Sequence, residues 1–264
     1  MKHLITIFIV TLAMMTAGFA QAPSSAIPRT PDGKPNLNGI WQVLNEANWD
    51  IQPHAAQASP VLALGAAGAV PPGLGVLEGG DIPYLPGMAA KQKENFAKRL
   101  TLDPEIKCYM PGVPRSTYMP YPFQIVQSQN TLMLLYEFAG AVRNINMGKP
   151  QPASVDSWMG WSNGHWEGDT LVIDVTGLND QTWFDRAGNF HSDALHVVER
   201  FTALDKDHLT YEATIEDPKV FTRPWKISMP LYRIVEKNAQ ILEYKCVEFS
   251  EDVLYGKLRK VPLK

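Results

Sequence analysis

The sequence predicts a mainly β protein, an antiparallel meander that closes, or nearly closes, into a lipocalin-like barrel. Three observations point there. Short runs with two-residue alternation follow one another from Phe123 onward. Tight polar turns such as Ser128-Gln129-Asn130 and Glu167-Gly168-Asp169 join several of them, which favours antiparallel neighbours. No run after residue 123 keeps a helical period long enough to cover a parallel sheet. A β-sandwich is the alternative. The barrel is favoured because closure removes the exposed edges that an open sheet must protect.

The chain opens with a charged start, Met1-Lys2-His3, an uncharged apolar run from Leu4 to Met15, and small residues ending at Ala20. This is the pattern of a signal peptide over residues 1–20, cut before Gln21. A membrane anchor is the competing reading, but the apolar stretch is at the short edge of what spans a bilayer. Residues 21–122 form a Pro/Gly-rich N-terminal region packed on the body. Within it Pro31-Asp32-Gly33-Lys34-Pro35 is turn chemistry, Gly39–Leu44 reads as a short strand anchored by Trp41, and Ala55–Gly87 as an irregular wrapping. Met88–Leu100 reads as one short helix. Prolines at 104, 111, 114, 120 and 122 then exclude a central strand or helix.

Residues 123–264 form the antiparallel β domain. Its candidate strands are Phe123–Gln127, Thr131–Phe138, Val142–Met147, Ser157–Trp161, Gly164–Trp166, Thr170–Thr176, His196–Ala203, His208–Glu216, Trp225–Val235 and Ile241–Glu248.

Composition narrows the partners. Lys and Arg number 24 against 27 acidic residues, a net charge of −3 that argues against nucleic acid, whose phosphates need a concentrated cationic surface. No segment after the leader is long and apolar enough to span a membrane. Cys108 and Cys246 are the two cysteines. In an oxidising compartment they can form one disulfide; two separately buried thiols are the alternative, and their spacing fits no zinc module or redox pair.

The passage Asp185–Arg200 is the candidate active site, with His191, Asp193, His196 and Glu199 as catalytic candidates. His191 and His196 with a neighbouring carboxylate suit a divalent metal or an acid–base pair, or serve as structural hydrogen-bonding groups. The His-x4-His spacing matches no strong zinc signature. Alternation puts His196, Val198, Arg200 and Thr202 on one strand face and Val197, Glu199 and Phe201 on the other. The first set is either a solvated outer wall of paired charges or a polar stripe aimed at a ligand inside the barrel. Arg200, His165, Trp161, Trp183 and Arg143 are the ligand-binding candidates: cations for an anionic group, and large rings that either fill the core or stack around a sugar or aromatic molecule. There is no nucleophile elbow, phosphate-binding glycine loop, dinucleotide fingerprint or haem-attachment motif.

Several stretches carry a resemblance: Pro31–Trp41, Cys108–Arg115, Pro122–Gln127, Gly160–Val172 with its Gly-His-Trp-Glu-Gly-Asp core, and His191–Phe201 with His-Ser-Asp-Ala-Leu-His-Val-Val-Glu-Arg-Phe. With Tyr211-Glu212 and Glu216-Asp217-Pro218 they cover most of the chain after residue 31. The chain resembles a family of exported, largely uncharacterised proteins of environmental Gram-negative bacteria. That resemblance implies export but transfers no catalytic role. The Gly-His-Trp-Glu-Gly-Asp stretch is also loosely similar to strand-turn segments of lipocalin-like barrels, a hint of fold alone.

The leading functional expectation is an exported small-molecule binding protein with an aromatic-lined cavity, in the periplasm or secreted. A small-molecule hydrolase, lyase or isomerase using His191 and His196, and an envelope structural or interaction protein, are the alternatives. Whether a metal cofactor binds and which oligomer forms stay open at this point.

Overall fold

The computed structural model describes residues 26–59, 69–129 and 131–258. The leader at 1–20 lies outside them. Ten strands form one sheet: β1 (Gly39–Gln42), β2 (Leu77–Glu78), β3 (Phe123–Gln127), β4 (Leu132–Tyr136), β5 (Val142–Asn146), β6 (Trp161–Glu167), β7 (Thr170–Thr176), β8 (His196–Ala203), β9 (His208–Glu216) and β10 (Trp225–Arg233). Nine of them close a mixed barrel in the order β1-β3-β4-β5-β6-β7-β8-β9-β10, with β10 returning to β1, and β2 adds outside on β10. The barrel expected from alternation is therefore present, and it draws its first stave, β1, from the N-terminal region.

It is not an uninterrupted antiparallel meander. A closed ring with an odd number of staves cannot alternate direction throughout, so at least one neighbouring pair must run parallel. That pair is β5–β6. A parallel step needs a long connection, and residues 147–160 supply it.

Two of the expected strands differ in the structure. Ser157–Trp161 and Gly164–Trp166 resolve into the single strand β6, with only an isolated bridge at Ser157. Ile241–Glu248 is not a strand; this tail instead lies along the body with Cys246 bonded to Cys108. The proline inside β10 sits on a stretch of open edge. Ser228 donates its N–H to Val76 beside β2, so two residues on Pro230 points its nitrogen to that same side. It falls in the gap between the β2 and β1 pairings, where no ladder bond is lost.

The β6–β7 hairpin turns on Gly168 and Asp169 between the paired Glu167 and Thr170. Gly168 has φ +58°, the positive backbone angle that a two-residue turn on twisted strands requires. Arg29 clamps this turn to the N-terminal segment through two 2.7 Å bonds to Asp169.

The lumen is filled rather than hollow. Trp41, Phe123 and Tyr136 sit side by side on β1, β3 and β4, and Phe201 faces Tyr211 across β8–β9 with ring centres 4.9 Å apart, all fully or almost fully buried. Such close packing leaves side chains, not a ligand, in the position of a lipocalin cavity.

The expected helix at 88–100 forms as α1 (Met88–Ala97) and a single turn, α2 (Arg99–Leu102), broken at Lys98. Buried Asn95 donates to the Gly188 carbonyl at 3.1 Å, fixing α1 to the loop at 183–190. A third helix, α3 (Ser250–Tyr255), follows the tail. No helix among the described residues is long and apolar enough to cross a membrane.

Candidate functional site

Two buried ionic networks organise the molecule. The first lies inside the barrel. Arg143 of β5 and Glu199 of β8 point into the lumen, 3% and 0% exposed, with Arg143 Nη2 2.5 Å from Glu199 Oε2. Arg143 also donates to the Tyr136 hydroxyl (3.1 Å) and Ser162 Oγ (3.0 Å), and Tyr211 donates to Glu199 at 2.7 Å. Burial alone pulls the Arg143 pKa down, but Glu199 and Tyr136 outweigh it, so the guanidinium is held above its ordinary range. Glu199 thus shares the apolar face of β8 with Val197 and Phe201, as alternation placed it.

The second network caps one end of the barrel. Arg115, on a 3-10 turn over Arg115–Tyr118, donates from Nε to Asn48 (2.9 Å), from Nη1 to Asp103 (3.0 Å) and from Nη2 to Glu105 (2.7 Å). Arg186 adds a second cation, its Nε 3.8 Å from both carboxylates and its guanidinium carbon 4.4 Å from the Trp49 ring centre. Above these charges lies a cleft of ≈ 460 Å³. Trp49, Tyr121, Tyr244 and Phe249 give it aromatic walls, and Asn48, Glu105, Arg186 and Lys245 give it polar groups. That combination of apolar walls and a few convergent polar groups is the usual make-up of a small-molecule site.

The C-terminal tail builds one wall. Cys246 is disulfide-bonded to Cys108. Tyr244 packs between Tyr121 and Phe138 at ring distances of 4.8 and 5.0 Å. Phe249 donates its N–H to the Ile106 carbonyl, and Leu242 donates to Glu137.

Beside the cleft, Asp185 closes the turn that carries Arg186. It is fully buried and accepts from the N–H of Ile51 and Asn189 and from the Asn189 side chain. Burial first, then the nearby Asp50, push its pKa up to about 7 against those bonds. A carboxyl with a folded pKa above its usual value of roughly 4 holds its proton more tightly folded than unfolded. Its contribution to stability is full below pH ~4 and is lost as the pH rises to about 7. The margin of wild type over Asp185→Asn, which cannot titrate, should therefore shrink across that window. Urea midpoints at each pH measure it; a margin that stays constant rejects the assignment.

The sequence-predicted catalytic residues are not brought together. His191 is buried under Phe184, bonded to Thr182 Oγ1 at 2.6 Å and to the Ser192 carbonyl at 2.8 Å, and burial lowers its pKa. His196 is on the outer wall between Asp174 (2.9 Å) and Glu216 (3.3 Å). Those carboxylates outweigh its partial burial and raise its pKa. Asp193 is exposed and pairs with Lys219, while Glu199 points into the lumen. His196 and Glu199 are an odd number of residues apart on one strand, so they face opposite sides of the wall. Among the described residues no three His, Cys, Asp or Glu side chains gather as a metal set.

Of the ligand-binding candidates, Arg200 and His165 are outside the barrel, both on Glu167 at 2.8 and 3.2 Å. These pairs make the 196–202 face a solvated wall of matched charges. Trp183 is half-buried in a bridge to Phe190, Trp161 stands at the β5–β6 seam, and Arg143 is in the lumen rather than at a rim. The cleft residues Trp49, Tyr121 and Tyr244 escaped the sequence reading. They lie in non-periodic segments far apart in the chain, and only the disulfide hinted that 108 and 246 meet.

No protein-family profile matches the chain, and no curated protein is significantly similar to it.

Proposed function

We propose that this is an exported protein that binds a small aromatic molecule with a polar or anionic substituent in the cleft between the barrel end and the C-terminal tail. The observation that carries the reading is the ≈ 460 Å³ cleft with Trp49, Tyr121 and Tyr244 in its walls and the Arg186 guanidinium stacked on Trp49. Rings stack on rings, and a substituent is met by Arg186, Lys245 or Asn48. The expected aromatic-lined cavity thus moves from the lumen to the end of the barrel. Export is supported by the leader pattern at Met1–Ala20, by the disulfide, and by the resemblance to an exported family.

The probe for this reading is 8-anilinonaphthalene-1-sulfonate, an aromatic anion whose fluorescence rises in an apolar site. Titration should saturate at one molecule per chain. Tyr244→Ala and Trp49→Ala should each weaken it about 3- to 10-fold, the size of an aromatic contact. Unchanged affinity in both variants would place the probe elsewhere and overturn the proposal.

A further inference from the structure

We propose that the ligand of the tail cleft is a phenol whose ring hydroxyl donates to the free carboxylate oxygen of Glu105, a choice of substituent that rests on the reading of the cleft as an aromatic site.

Glu105 opens a 3-10 turn over Glu105–Lys107 and lines the cleft, with 16% of its side chain exposed. Its contacts all fall on one oxygen. Oε2 accepts from Arg115 Nη2 at 2.7 Å and from Asn48 Nδ2 at 3.3 Å, and Arg186 Nε lies 3.8 Å from it. Oε1 accepts no hydrogen bond from the described residues, and it is not one of the buried side-chain atoms that lack a partner. It is therefore an accessible acceptor on a residue of the cleft wall. The bonds to Oε2 hold the carboxylate in place, so a ligand meets an acceptor that is already ordered.

The surrounding charges select the donor. Arg115 donates four bonds to Asn48, Asp103 and Glu105, and with Arg186 it faces two carboxylates, so the cations here are already matched. A ligand carboxylate at Oε1 would add an unmatched negative charge, and an ammonium would stand beside two guanidiniums. An ether or ketone brings acceptors alone. Its ring would strip water from Oε1 and return no bond, which is unfavourable. A phenol, with a usual pKa of about 10, keeps its proton near neutral pH and supplies one neutral donor. A hydrogen bond to a carboxylate is also stronger than one between neutral groups. The nearby Tyr121 phenol already responds to Glu105: burial first, then Tyr244 and the charges of Glu105 and Glu137, raise its pKa.

The test uses the disulfide-bonded mature protein near neutral pH. Three probes with one ring system, 2-naphthol, 2-methoxynaphthalene and 2-naphthoate, compete against anilinonaphthalene-sulfonate. 2-Naphthol should bind at least about tenfold more tightly than its methyl ether, the worth of a hydrogen bond to a charged group. Methylation adds apolar area, so burial alone would reverse that order. In Glu105→Gln, Arg115 should claim the amide oxygen and leave the NH₂ toward the cleft. That donor meets the ether as well as the phenol, so the preference should fall below about threefold. If the variant folds poorly, the wild-type comparison of phenol with ether decides alone. The proposal is overturned if the ether binds wild type as well as 2-naphthol, if 2-naphthoate binds more tightly, or if 2-naphthol does not displace the dye. An undiminished preference in folded Glu105→Gln overturns it equally. Dye binding that still weakens in Tyr244→Ala and Trp49→Ala would keep the cleft as an aromatic site in each of these cases. Dye binding indifferent to both substitutions would instead remove the cleft itself, so the two failures are distinct.

Discussion

Replacing Glu199 by alanine should destabilise the barrel by about 3–5 kcal/mol, the usual cost of removing one partner from a buried ion pair. The cost arises from what is left behind. Arg143 would keep its charge inside a filled lumen, facing only the Tyr136 and Ser162 hydroxyls, and Tyr211 would lose the acceptor it now reaches at 2.7 Å. Burying an uncompensated charge is far more costly than losing the net worth of a hydrogen bond. The converse experiment separates these contributions. Arg143→Met with Glu199→Leu removes both charges at similar volume and should cost less than Glu199→Ala alone, what remains being the loss of partners by the Tyr211 and Ser162 hydroxyls. Denaturant midpoints for the two singles and the double give the coupling directly. A Glu199→Ala cost under about 1 kcal/mol would mean that water reaches the pair, contrary to its burial.

The pair also illustrates which parts of the molecule are legible from sequence. Strands β3, β4 and β8–β10 announce themselves because each has one buried face, and a period of two follows from that. Glu199 falls on the apolar face of β8 by the same alternation, which is itself the signal that it must have a buried partner. Nothing local says that the partner is Arg143 of β5, since that depends on closure of the ring. The parallel β5–β6 step is likewise a property of the whole barrel: it follows from the number of staves, which no single segment records. The reading of 185–200 as a reaction centre failed to gather its residues for a related reason. Proximity in sequence put His191, Asp193, His196 and Glu199 together, but a strand begins at His196 and sends alternate side chains to opposite faces. The cleft was least legible of all. Its walls come from residues near 49, 121, 186 and 244, joined only by tertiary contacts and a crosslink.

That crosslink carries the second large effect. Cys108→Ser with Cys246→Ser should lower the stability of the protein by up to about 5 kcal/mol, the loop-closure entropy expected for a separation of 138 residues. The native state should respond unevenly. The barrel is closed by β1–β10 pairing and does not include the tail, so far-UV circular dichroism and the buried β core should persist. The tail is different. Leu242 and Val247 are exposed, and apart from the disulfide it is fixed by Tyr244 between two rings and by a few hydrogen bonds such as those of Leu242 and Phe249. Without the crosslink these contacts must offset the entropy of ordering the segment unaided. The expected result is loss of anilinonaphthalene-sulfonate binding at concentrations that saturate the oxidised protein, with the barrel still folded. Full retention of binding would show that the tail docks on its own and that the disulfide acts only on the unfolded chain. Loss of the β spectrum together with binding would show that the tail is integral to the fold. The expected middle outcome ties the cleft to compartment: an oxidising environment supplies the bond that finishes the site, whereas reduction leaves the same barrel with one wall of its cleft released.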